Sequence, residues 1–207
     1  RADALKAGWE KLLAAIDGKA VSPEASFQQH SELLEQVFVT AEMVADESGL
    51  SLDPIAETYF VMTAVIDHGP RLVEALEQVR SLGTTIIEDK KASADRMATL
   101  ESRLSESSYV HQRTLRQLSK ANAMNEAIAA KLASALEDGN LEVAGFHKLA
   151  AGVVHGELKS ANSAAFTKAG LDAVTAQIGV LETATNVLED LLHERIASLT
   201  RERLQLL

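Results

Sequence analysis

Apolar residues recur along this chain at steps of three and four, and turn signals interrupt them at only a few places. Such spacing puts side chains on one face of an α-helix. Leu5, Trp9, Leu12 and Ile16 form a first short stripe, closed by Asp17-Gly18. Ser22-Pro23 then supplies a cap and a proline at the first helical position, and Phe27, His30, Leu34, Val37, Ala41 and Val44 alternate strictly, which predicts the buried seam of a second helix.

The rest of the chain is organised around Ser48 to Arg71. Gly49 suits the left-handed residue that closes a helix, and Asp53-Pro54 reads as a cap followed by a proline that opens the next. A turn of about four residues makes the flanking helices antiparallel neighbours. The third helix carries Ile55, Tyr59, Met62 and Ile66 on its seam, bends at Gly69-Pro70 without ending, continues through Val73, Leu76 and Arg80, and begins to close at Gly83. Thr84 to Ala92 is a turn or a frayed continuation.

A long helix is expected from Ser93 to Asp138, with Met97, Leu100, Leu104, His111, Leu118, Ile128 and Leu132 turned inward. Its middle, SESSYVHQR, is polar and predicts partial exposure or a wet layer. Asp138-Gly139-Asn140 reads as a stop, and residues 141 to 158 as a short helix. The last helix, from about Ser163 to Leu207, carries Leu171, Val174, Ile178, Leu181, Thr185, Leu188, Leu192, Arg195 and Leu199. At 1.5 Å per residue it runs for roughly 65 Å. A helix of that length needs partners throughout, so the expected fold is all-α: an elongated antiparallel bundle of up-down topology, built as two stacked four-helix storeys within a single domain, residues 1–207.

Composition sharpens this in three ways. Aromatic residues make up only 4% of the chain, so the core must be aliphatic and small, as in long bundles. Thirty acidic against twenty basic residues give a net charge of −10 with no basic run, which argues against nucleic acid as a partner. There is no cysteine, hence no disulfide and no thiolate chemistry.

Catalytic motifs are missing as well. No paired Glu-x-x-His, His-Glu-x-x-His, phosphate loop or Gly-x-Ser-x-Gly elbow occurs; Asp190-x-x-His193 stands alone. The expectation is a protein that is no enzyme and holds no metal or cofactor. Candidate binding residues are polar groups where the seam asks for apolar ones. Tyr59, Thr63 and Asp67 follow at four-residue steps, with Arg71 and Arg80 further along, and a small anion held between helices would partner the arginines. His30 occupies a core position in the second helix and joins this set. The plainer alternatives are a surface Asp67–Arg71 pair, Tyr59 at the edge of the core, and a satisfied core histidine.

The stretch SGLSLDPIAETYFVMTAV, followed by Pro70 and by Arg80-Ser81-Leu82-Gly83, resembles a segment of the extracytoplasmic sensor regions of bacterial transmembrane receptors, the methyl-accepting chemotaxis proteins among them. Leu191-Leu192-His193-Glu194-Arg195 resembles the approach to their second membrane helix. The resemblance implies a four-helix or helical bimodular sensor on the periplasmic side of the inner membrane. It would be excised from between two membrane crossings, bind an organic acid or inorganic anion between helices, and form a homodimer. The same sensors precede histidine kinase or diguanylate cyclase modules, and a scaffold of long helices that binds nothing small is the contrasting expectation.

Overall fold

A computed structural model describes residues 2–205 apart from 91, 157 and 159. Every regular element among the described residues is helical, in line with the all-α expectation. The elements are α1 (Ala2–Asp17), α2 (Pro23–Glu47), a 3₁₀ turn (Leu50–Leu52), α3 (Ala56–Thr63), a π-helical turn (Ala64–His68), α4 (Gly69–Asp89), α5 (Ala94–Met124), α6 (Glu126–Val154) and α7 (Ser163–Gln205). The chain divides into two compact units, Arg1–Leu52 and Asp53–Leu207.

In the first unit α1 packs on α2. Ser22 caps α2 by accepting from the Ala25 amide, and Gly49 takes the expected left-handed conformation (φ 78°). The predicted seams fare differently. On α1 only Leu12 is buried, and Trp9 is 45% exposed rather than a core residue. On α2 the buried side chains are Phe38 and Ala45, while Phe27, Leu34, Val37 and Val44 of the predicted stripe stand exposed.

The second unit holds the main core. Within it α4 packs on α5 and α7, α5 on α6, and α6 on α7, and α3 adds contacts to α5 and α7. The Asp53 carboxylate accepts from the Ile55 amide at 2.8 Å, which moves the start of α3 to Ala56, two residues past the proline predicted to open it. Pro70 bears no amide hydrogen, and its ring would strike the carbonyl four residues back; the turn before it widens to the π form, with the Gly69 amide donating to Ala64 O. The helix thus passes the proline, as expected. It also runs on to Asp89 and ends at Lys90 in the left-handed region (φ 51°), so Thr84 to Asp89 is helix rather than turn.

Two predicted stops are not stops. Gly83 lies buried inside α4, where a Cβ would come within 2.5 Å of the Phe166 ring. Gly139 lies inside α6, where a Cβ would meet Val180 Cγ2 at 2.6 Å. The chain breaks instead at Asn125, in extended conformation, whose side chain accepts from the Ala127 and Ile128 amides and so starts α6 at Glu126, well before the predicted short helix at 141.

The inward face of α7 keeps Val174 and Leu188 of the predicted stripe but is centred one residue earlier. The buried series runs Phe166, Gly170, Ala173, Val174, Gln177, Val180, Ala184, Val187 and Leu188, whereas Leu171 and Ile178 of the predicted stripe are 46% and 41% exposed. Small residues face the neighbouring helices and let α7 lie close to them. The register has a direct check by thermal or urea unfolding: Val180→Ala costs about 2 kcal/mol, Gly83→Val about 1–3 kcal/mol through its clash with Phe166, and Leu171→Ala less than about 0.5 kcal/mol. Equal losses at Leu171 and Val180 would restore the predicted seam.

Candidate functional site

The polar residues singled out in the sequence fall into separate groups. Thr63 donates its hydroxyl to the Tyr59 carbonyl at 2.8 Å, and Tyr59, 40% exposed, sits edge-on to Phe60 at 5.6 Å between ring centres. One helical step on, Arg71 Nε donates to Asp67 Oδ1 at 3.1 Å. Arg80 is bound to Glu77, its Nε donating at 2.8 Å, and its aliphatic stem packs where Gly170 leaves room. His30 belongs to the first unit: its Nδ1 donates to Ser26 O at 2.8 Å and its ring meets Trp9 edge-on. The structure therefore brings Asp67 and Arg71 together, while Arg80 and His30 have partners of their own elsewhere. Arg195 binds Asp53, whose side chain is only 5% exposed, within the second unit.

What sequence reasoning did not single out is His68, inside the π turn. It is buried, and its Nδ1 donates to Asp67 Oδ2 at 2.9 Å. That hydrogen bond leaves Nε2 as the unprotonated nitrogen, and Nε2 is buried with no partner among the described residues. Burial holds the His68 pKa below its usual value; Asp67 opposes this, and the charges of Arg113 and Arg71 add to it. A π turn is costly and concentrates at functional positions, because it aims side chains that a regular helix would not.

Arg113 lies on α5 within the polar stretch that predicted a wet layer. Ser107 and His111 of the same stretch, with Thr114 just after it, turn into the core. Ser107 Oγ lies 2.9 Å from His147 Nε2 on α6, Ser108 Oγ lies 3.4 Å from Nδ1, and the His111 and His147 rings meet edge-on at 5.8 Å. On α7, Gln177 is 3% exposed and its Nε2 has no partner among the described residues, nor has the buried Gln117 Oε1 on α5. Each unpaired buried polar atom costs roughly 1–3 kcal/mol, so the row is expensive for a fold that could have placed leucines there. Composition could have pointed to it: two small hydroxyl residues, Ser107 and Thr114, and a histidine sit among heptad positions of α5.

Chemically the row offers hydrogen-bond donors and acceptors together with the Arg71 and Arg113 charges, but no assembled reaction centre. Ser107 is fully buried, while its partner His147 is only partly so. Among the described residues no cluster of three or more His, Asp or Glu could hold a metal ion, and no helix is long and apolar enough to cross a membrane. A cleft of about 190 Å³ at the start of α7, between Leu149, Val153, Asn162 and Phe166, is apolar, and its Asn162 side chain is committed to the Ala165 amide. No family model, curated protein or solved structure matches the chain.

Burial pushes the His147 pKa down to about 4, with His111 beside it adding to the effect, and burial lowers His111 too. Both rings are neutral in the folded protein at pH 7, whereas the unfolded chain takes up protons near 6.5. The stability this confers is present above pH 6.5 and lost as pH falls towards 4, by up to about 3 kcal/mol for His147. Urea unfolding across that window measures it. His147→Gln should flatten the fall; an unchanged slope would place the ring in solvent.

Proposed function

We propose that this chain is the ligand-sensing region of a bacterial transmembrane receptor, binding a small organic acid or anion between its helices and passing a helix shift to an output module. The observation that carries the reading is the set of buried polar atoms with no partner among the described residues, His68 Nε2, Gln117 Oε1, Asn122 Oδ1 and Gln177 Nε2, all within the second unit. Polar groups that cost stability are accounted for if a bound molecule completes their hydrogen bonds. Arg71 and Arg113 supply the positive charge that favours an anion.

The receptor reading further takes the helices as an antiparallel, up-down bundle in two storeys. Contacts along the chain support opposite helix senses: Asp53 meets Arg195, Gly69 lies against Leu181, and Thr84 bonds Thr167, so one partner's number falls as the other's rises. Lys131–Asp190 and Gly139–Val180 repeat the pattern between α6 and α7. The 43 residues of α7 form a lever that lines the polar row at Gln177 and continues to Gln205. A slide of about 1–2 Å is the usual stroke of such helices, driven by the difference in ligand affinity between two states. On this reading the parent is anchored in the inner membrane, the chain lies in the periplasm, and two copies pair. A chemotaxis output is favoured, with a histidine kinase or diguanylate cyclase as the alternative; a purely structural bundle has no use for the unpaired row.

A thermal-shift screen of small mono- and dicarboxylates, sulfate, phosphate and nitrate tests the binding step. One compound should raise Tm by several degrees, since 100-fold saturation adds about 2.7 kcal/mol. Gln177→Leu should raise the melting temperature of the free protein by removing an unpaired amide and should abolish the response to that compound. No shift with any compound, with nothing retained in native mass spectrometry, would leave the scaffold reading.

A further inference from the structure

The end of α7 is held by charge more than by apolar packing. Leu188 is the last fully buried residue of the helix among those described. Beyond it Leu191 and Leu192 are half-buried, while Ile196, Leu199 and Leu204 stand 62%, 53% and 68% exposed. Among the described residues two ion pairs tie this stretch to other elements of the second unit. Lys131 Nζ on α6 reaches Asp190 Oδ2 at 2.7 Å with both side chains half exposed, and pairs of that kind contribute little. The other joins Arg195 to Asp53.

That second pair is built differently. The Asp53 side chain is only 5% exposed, and its two oxygens serve two elements. Oδ1 accepts from the Ile55 amide at 2.8 Å, a turn that fixes the carboxylate just ahead of α3, and Oδ2 accepts from Arg195 Nη1 on α7. A carboxylate desolvated to that degree needs its cation, so removing the guanidinium strands a buried charge unless the covering segment moves away and lets water in. Arg195 is 34% exposed, so its guanidinium can exchange the carboxylate for water without crossing the core. From this we infer that Asp53 and Arg195 form a latch: with the pair made, residues 189–199 lie docked on the second unit, and with it broken they swing free of a core that stays folded as far as Leu188. The inner side of the hinge is secure, because Ala184, Val187 and Leu188 are buried. The device has one input, the charge balance at Asp53, and one output, the position of the end of α7. Because the same carboxylate also holds the turn before α3, opening the latch loosens nothing there so long as an acceptor remains at position 53.

The inference does not rest on ligand binding and can fail separately from it. Hydrogen exchange of the whole chain, read by mass spectrometry, tests it. In the wild type residues 189–199 should exchange through a local opening, faster than 166–188. Arg195→Met removes the cation, and Asp53→Asn removes the charge while keeping an acceptor for the Ile55 amide. Each should speed exchange over 189–199 at least about tenfold, with 166–188 still protected at least about 100-fold better than that segment. The double variant should be no faster than either single one, since both break the same tie. Lys131→Met should change the rate less than about twofold. Equal protection of the two segments in the wild type, no response to Arg195→Met, protection lost equally along α7, an equal effect of Lys131→Met, or additive effects in the double variant overturns the proposal.

Discussion

Close approach of α7 to α4 and α6 is the constraint on which the second unit depends, and four glycines allow it. Gly69, Gly83 and Gly139 each sit where a Cβ would overlap a side chain of α7, and Gly170 does the same in reverse against Arg80. A helix interior loses about 1 kcal/mol per glycine relative to alanine. Here that loss is offset by dispersion contacts that only short interhelical distances permit. The bulky partners Phe166, Val180 and Leu181 fill the notches, and Phe146 completes the packing edge-on to Phe166.

The polar residues of α5 meet a different constraint. Ser107, His111 and Thr114 are buried, so whatever occupies those positions is desolvated. Desolvation keeps His111 and His147 neutral and gives each serine contact more weight than it would have in water. It also makes His68 and Gln177 costly, since the Nε2 atom of each is buried with no partner among the described residues. The π turn at Ala64–His68 belongs to this logic, because it widens the helix beside Pro70 and carries His68 inward with Asp67 fixing its tautomer.

Much of the fold was legible in the sequence. Helical spacing, the Ser22 cap, the Gly49 turn and the span of α7 all follow from local chemistry that tertiary contacts do not change. The misreadings share one cause. Gly83 and Gly139 look like terminators because a lone helix would fray there, and nothing local reveals the neighbouring Phe166 and Val180. Leu171 and Ile178 look like core because they are large, but the close-packed face of α7 admits Gly170, Ala173 and Ala184 instead. At the site, Asp67 and Arg71 were visible from their four-residue spacing, whereas His68 owes its position to a π turn that spacing rules do not anticipate. Arg80 has the ordinary partner Glu77, and His30 the carbonyl of Ser26.

A dry interior that keeps polar groups is the central claim, and NMR titration of the imidazole carbons tests it most directly. The account predicts that His147 stays neutral until about pH 4 and that His111 also titrates below the ordinary histidine range. Both rings titrating near 6.5 would mean that solvent fills the row, and the account would be contradicted.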